Sequence, residues 1–268
     1  MSERKAIFIT GGGSGIGRAI AQHFGAKGWF IGLGDVDEEG MCETETLLPG
    51  GFHYSHTFDV RDRAAWDEAL GGFSMAAGGR IDVLANNAGI ALGGSLTDNT
   101  PEEIERCLDI NLKGVLFGAQ AAYPHLAKTA PGSCLLNTAS AAGIYGSAGA
   151  SVYSATKFGV RAITESLDAE WAEDGINVRS LCPAFIDTPL LDQAPNRGAN
   201  DMIRARVQES GLEISPVGDV AQAAWDAVHG NTLHTLVGKT AKKIAFASRW
   251  MPGRIRKQGR ESFRPLGR

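Results

Sequence analysis

Short apolar runs alternate with amphipathic stretches along the first two thirds of this chain. Residues 6–10, Ala-Ile-Phe-Ile-Thr, are too short for a helix and read as a strand. A glycine-rich turn follows, after which Ile16, Ile20, Ala21 and Phe24 recur at helical spacing. The pattern then repeats. Strands are predicted at residues 29–34, 52–58 and 81–85, with a helix over 64–77 between the last two. Ile104, Leu108, Leu112, Val115 and Leu116 mark a further helix, in which Asn111 interrupts the apolar face; an amide is rarely buried there without a partner. Residues 134–136 continue through Asn137 as a strand ending near Ser140, residues 151–173 read as a helix, and 176–182 as a sixth strand. Strands that alternate with helices predict βαβ units, and hence an α/β domain on a parallel sheet.

Composition narrows the class. In 268 residues, 43% hydrophobic and 21% charged with 35 glycines, the chain fits a globular α/β enzyme with many tight turns. No apolar run approaches the ~18 residues of a membrane span. The N-terminus carries charges and then a short strand rather than a secretory signal, so a cytoplasmic protein is expected. Cys42, Cys107, Cys134 and Cys182 are scattered without ligand spacing, which predicts free thiols and no metal site.

The chemistry begins at the first turn. Gly11, Gly15 and Gly17 lie between a strand and a helix, where they permit a tight turn, close backbone approach to a pyrophosphate, and helix packing. The helix N-terminus, with Ser14 and Ile16, offers unpaired N–H groups to the anion. About twenty residues on, Asp35 ends the second strand and can accept hydrogen bonds from a ribose. Its carboxylate would repel a 2′-phosphate, and neither Ser14 nor Val36 is basic. Arg18, one residue past Gly17, is the counter-argument. NAD is therefore expected, with NADP as the lesser candidate. Further on, Tyr153 and Lys157 are four residues apart on a predicted helix, so an ammonium sits beside a phenol. Bringing that phenol from pH ~10 to roughly 7 requires about 4 kcal/mol, which the lysine and a nearby nicotinamide cation are expected to supply.

These elements together resemble the short-chain dehydrogenase/reductase family in its basic form, over about residues 5–188. The family's T-G-x-x-x-G-x-G falls at residues 10–17, its N-N-A-G at 86–89 and its Y-x-x-x-K at 153–157; its serine matches Ser140 and its helix asparagine Asn111. The resemblance implies a single Rossmann-type, doubly wound α/β domain, with a central parallel sheet of about seven strands flanked by helices on both faces. It implies Asn111, Ser140, Tyr153 and Lys157 as catalytic residues. Asn111 would hold a water linking Lys157 to solvent. The cofactor would lie on Gly11, Ser14, Gly15, Ile16, Gly17, Asp35, Asp59, Val60, Asn87, Ala88, Gly89, Tyr153, Lys157, Pro183, Ile186 and Thr188. Hydride would pass between an alcohol carbon and nicotinamide while Tyr153 handles the hydroxyl proton. A homodimer or homotetramer is expected through the helices around Asn111 and Tyr153. The family's P-G is Pro183-Ala184 here, which predicts a slightly altered loop because alanine resists positive φ.

Residues 188–212 read as a lid. The expected substrate wall, Ala91, Ile144, Tyr145, Val152, Phe185 and Leu190, is mostly apolar, which favours a hydrophobic or ring-bearing secondary alcohol. The competing functions are an NADP-linked carbonyl reductase and a non-catalytic dinucleotide-binding sensor or scaffold. The dehydrogenase domain is expected over residues 1–238, followed by a basic extension, 239–268. That extension holds ten Lys/Arg against Glu261 alone, a balance of +9, leaving −13 for the rest. It fits an anionic membrane surface, or the acidic body of its own or a neighbouring subunit, the second being preferred. No nucleic-acid-reading motif accompanies it.

Overall fold

The computed structural model describes residues 4–199 and 201–262. Asn200, in the expected lid, and residues 263–268 of the expected extension lie outside the described residues. A parallel strand covered on both faces must be apolar on both. Strand β1 (Ala6–Thr10) is buried at every position, and its side chains alternate between two cores. Ile7 and Ile9 join the core on one side of the sheet, and Ala6 and Phe8 the core on the other.

Seven strands form one all-parallel sheet. Its order is β3 (His53–Thr57), β2 (Phe30–Asp35), β1, β4 (Val83–Asn86), β5 (Cys134–Thr138), β6 (Asn177–Pro183) and β9 (His234–Val237). Helices α1 (Gly15–Ala26) and α8 (Val217–His229) close one face with Ile20, Phe24, Val220 and Ala224. Helices α3 (Arg63–Ala76) and α5 (Gly114–Thr129) close the other with Trp66, Phe73, Ala122 and Leu126. Side chains fix where helices start. Asp37 caps α2 (Glu38–Thr46), Asp62 caps α3, and Thr100 with Glu103 forms a capping box on α4 (Pro101–Leu108). A short parallel pair, β7 (Phe185–Ile186) with β8 (Ile214–Ser215), stands apart from the main sheet.

One element departs from the expected periodicity. Between α4 and α5 the chain makes a π-helical turn, Asp109–Lys113, which inserts an extra residue and rotates the buried face. The apolar face expected through Leu108 and Leu116 is therefore wrong: both are exposed, while Cys107, Asn111 and Val115 are buried.

Strand order reverses between β1 and β4, so the crevice lies at their carboxyl ends. Helix α6 (Ser151–Glu170) runs past that crevice, and α7 (Ile203–Glu209) lies in the expected lid. After β9 the chain turns directly into α9 (Lys239–Trp250), which packs against β9 and the turn Ala141–Gly143 before α10 (Pro252–Ser262) folds back on it. Among the described residues, no helix is long and apolar enough to cross a membrane, and no group of metal-ligating side chains assembles.

Candidate active site

The nucleotide end of the crevice is shaped by backbone. A Cβ at Gly17 would lie 2.0 Å from the Gly11 carbonyl oxygen, so only glycine lets the helix start so close to the turn. Gly11 itself has φ +69°, a left-handed conformation that glycine tolerates best. Helix α1 has no acidic residue in its first turn and no side-chain cap, and Ser14 at its N-cap is exposed. Its leading N–H groups are thus left to an anion. Thr188 closes the far side, its Cβ 3.3 Å from where a Cβ on Gly15 would stand.

Asp35 ends β2 with its carboxylate facing the turn. Oδ2 accepts from the Gly13 N–H at 2.9 Å and Oδ1 from the Asp37 N–H at 3.1 Å. A carboxylate has about four acceptor positions, so two remain for hydroxyls. Arg18 is committed elsewhere. Its Nη2 donates to the Gly13 and Gly40 carbonyls and to Glu43 at 2.8 Å, and its Nε to Thr44 Oγ1 at 3.0 Å. Ile16 packs against the core beneath the turn. Asp59 is clasped by Arg61, which holds its carboxyl below the usual range, and Val60 backs Gly114 of α5 and accepts from Trp66.

Asn87 ties three strand ends together. Its N–H and that of Ala88 donate to Thr10 Oγ1, its amide donates to the Thr10 carbonyl, and it accepts from Thr138 Oγ1. Thr10 enters the sequence reading only as the first residue of the glycine motif, and Thr138 is missed, because a strand-end threonine carries no signal of its role until its neighbours are known.

Tyr153, Ser140 and Lys157 converge beside this junction. Ser140 follows β5, accepts from the Ala142 N–H at 3.1 Å, and lies beside the Tyr153 phenol. Lys157, 4% exposed, donates to the Thr138 carbonyl at 2.9 Å and lies 5.6 Å from the Tyr153 ring centre. Gly89 stands against both Asn111 and Lys157: a Cβ there would be 3.2 Å from Asn111 Oδ1 and 3.6 Å from Lys157 Nζ. Asn111, 1% exposed, grips Ile90 twice, accepting from its N–H and donating to its carbonyl at 2.8 Å each. Its amide nitrogen also reaches Cys107 Sγ at 3.5 Å, so both N–H donors have partners within the protein, while Oδ1 accepts one bond.

The electrostatics of the protein alone push the phenol upward: burial raises Tyr153 to about 12, partly offset by the Ser140 hydroxyl, and the nicotinamide cation expected to help lower it is not part of this balance. Burial also pulls Lys157 down to about 8. The cause is desolvation, which disfavours phenolate and ammonium alike, and the lysine is bonded to Thr138 rather than to the phenol oxygen. The protein by itself holds Tyr153 as an acid.

On the substrate side, the expected wall divides. Val152 packs with Leu92 and Cys107, and Ile144 packs against Val115, Val160 and Cys182. Val152 is buried behind the wall. Ala91, Ile144, Tyr145, Phe185 and Leu190 keep partly exposed faces. The segment after Thr188 is fastened down: the Gly93 N–H donates to the Pro195 carbonyl at 2.7 Å, and the Arg197 N–H to Glu103. Arg204 of α7 pairs with Asp187 and Asp192. Ser140 donates weakly to the Pro183 carbonyl, and Ile186 and Thr188 are buried beyond it. Among the described residues none but glycine has positive φ, so Ala184 sits without strain.

Comparison with known proteins agrees with this geometry. The family model described as short chain dehydrogenase matches residues 5–198. The chain belongs to the short-chain dehydrogenase family, and is an enzyme of the alcohol dehydrogenase and ketone reductase class. A meso-2,3-butanediol dehydrogenase of Serratia marcescens is 34% identical over 193 residues, covering 72% of this chain and 76% of that one. A 3-alpha-(or 20-beta)-hydroxysteroid dehydrogenase of Mycobacterium bovis is 35% identical over 192 residues, covering 71% and 72%. A short chain dehydrogenase/reductase from Burkholderia phymatum in complex with NAD superposes with a TM-score of 0.83 at 27% identity, over 96% of this chain and 97% of that one.

Proposed function

We propose that this enzyme interconverts a hydrophobic or ring-bearing secondary alcohol and its ketone with NAD, using Tyr153 as the acid–base group. The observation that carries the reading is the convergence of Ser140 and Tyr153 at the carboxyl end of β5, with Lys157 buried beside them and bonded to the Thr138 carbonyl. The relatives named for butanediol and hydroxysteroid substrates lend it support.

The crevice fits a dinucleotide. The uncapped start of α1 with Gly11, Ser14, Gly15 and Gly17 would hold the pyrophosphate, Asp35 the adenosine ribose, and Asn87, Ala88, Gly89, Tyr153, Lys157, Pro183, Ile186 and Thr188 the nicotinamide half. Bound there, the cofactor supplies the hydride acceptor, or in its reduced form the donor.

The side chains do the rest. Ser140 holds the substrate oxygen beside the phenol. Protonated Tyr153 donates to a ketone oxygen in reduction, and in the other direction it takes the alcohol proton. Of the three Lys157 N–H donors, Thr138 uses one, leaving two for a ribose hydroxyl and the phenol side. Asn111 orders Ile90 and borders Lys157, and its Oδ1, which accepts one bond from the Ile90 N–H, keeps a second lone pair for a water on the Lys157 side.

NAD is favoured over NADP because Asp35 brings a negative charge to the ribose end, and because Glu43 and Thr44 hold the Arg18 guanidinium. Exposed Leu116 and Phe158, on α5 and α6, supply an apolar face for a homodimer or homotetramer. The four free cysteines suit the reducing cytoplasm. The direct test is reduced-cofactor formation at 340 nm from aliphatic, cyclic, steroid, sugar and aryl alcohols with each nicotinamide. NAD-linked turnover of an apolar ring or chain alcohol is expected. NADP-linked turnover alone, or turnover of sugars alone, contradicts the reading.

A further inference from the structure

The basic extension was expected to dock on an acidic body. Within the chain it does not: among the described residues, the only acidic group of the body that it reaches is Glu213, paired with Lys239. Lys257 pairs with Glu261 of its own helix, while Lys242, Lys243, Arg254, Arg256 and Arg260 have no acidic partner among the described residues.

The outward face of α9 has a second property. Ala241 is fully buried, which fixes the opposite face toward solvent. Phe246 and Trp250, one turn apart, stand on that outward face at 58% and 65% exposure. Lys242, Lys243 and Arg249, all exposed, flank them on the same helix. A groove of about 480 Å³ continues between α9 and α10, lined by Phe246, Met251, Ile255, Lys242, Lys243 and Arg254. Large exposed aromatics ringed by cations do not serve this chain's own fold. Such rings settle at the headgroup level of a bilayer, where Lys and Arg meet anionic lipid.

We propose that the α9–α10 hairpin is a docking surface for an anionic lipid bilayer, lying on it rather than crossing it. Eight basic side chains against one acid over residues 239–262 supply the charge complementarity, and the Phe246–Trp250 pair supplies the apolar anchor. The location gives the surface a use. Helix α9 packs on the turn Ala141–Gly143, directly after Ser140, so docking brings the substrate side of the crevice close to the membrane. An apolar alcohol or ketone dissolved in lipid would then reach the site without crossing bulk water. That use rests on the proposed substrate class, whereas vesicle binding does not, so the two can fail separately.

The test is sedimentation of the full chain with phosphatidylcholine vesicles, and with vesicles containing about one third phosphatidylserine. Two double variants are compared, Lys242→Glu with Lys243→Glu, and Phe246→Ser with Trp250→Ser. All four side chains are exposed and none belongs to the crevice. The proposal expects binding to the anionic vesicles alone, weakening with salt, and at least ~tenfold lower partitioning in the charge-reversal variant. The aromatic variant should also lose about tenfold. Equal binding of all three proteins, or no binding to anionic vesicles, overturns it. So does loss of self-association in light scattering when the charges are reversed, without any vesicle binding, because the surface then belongs to a second copy.

Discussion

Burying an ammonium without a carboxylate costs stability, and Lys157 is held this way, with thiols rather than acids as its neighbours. Its folded pKa, about 8, lies below the ordinary 10.5. A depressed value means that stability is fully present above the unfolded pKa and is lost as pH falls through the folded one. At neutral pH the lysine therefore costs on the order of 3 kcal/mol, less its bond to Thr138. Lys157→Met should raise the thermal midpoint at pH 7 while abolishing turnover, and the gain should shrink as pH approaches 11; a lower midpoint at pH 7 would refute this. The residue types of the site were legible from the sequence, because glycine spacing and the Tyr-x-x-x-Lys pair follow from the helix period. The upward push that the protein alone gives the phenol was not, because it depends on how deeply the crevice closes around Tyr153, and spacing carries no information about depth.

At the scale of elements, the π-helical turn shapes the site most. Asn111 is buried there because the extra residue turns it inward, where it satisfies both backbone groups of Ile90. Asn111→Ala would leave a buried donor and acceptor unpaired, at about 1–3 kcal/mol for each group. Chemical denaturation should show a loss of about 2–5 kcal/mol, with lower activity because the Gly89–Ile90 segment beside Lys157 loosens. Unchanged stability would mean that water replaces the amide freely. Most strands were readable as buried apolar runs, β3 being the polar, half-exposed exception, and the helices over 64–77 and 151–173 by their period to within three residues. The π turn was invisible, since Leu108 and Leu116 continue a regular helical pattern on paper. Their exposure follows only once the helix takes in one extra residue and is locally underwound.

For the whole molecule, the parallel, doubly wound sheet was legible because apolar strands joined by helices leave few right-handed solutions. The hidden part is what the surface does. Leu116 and Phe158 are 47% and 41% exposed on neighbouring helices beside the active site, larger apolar groups than a monomer usually leaves in water. Light scattering at micromolar concentration should give a dimer or larger. Leu116→Asp combined with Phe158→Asp should shift it to monomer, and a wild-type monomer would remove that interface. The extension's direction was equally hidden, since charge alone is compatible with packing on the body or facing away from it.

The central claim is that the Tyr153 phenol, poised by Ser140 and Lys157, carries the proton while the crevice holds NAD. Its most direct measurement pairs NADH formation with NAD affinity for the wild type and Tyr153→Phe. The predicted result is a turnover lower by about 10³-fold or more, with NAD affinity unchanged within a small factor. Undiminished turnover in Tyr153→Phe would contradict the account.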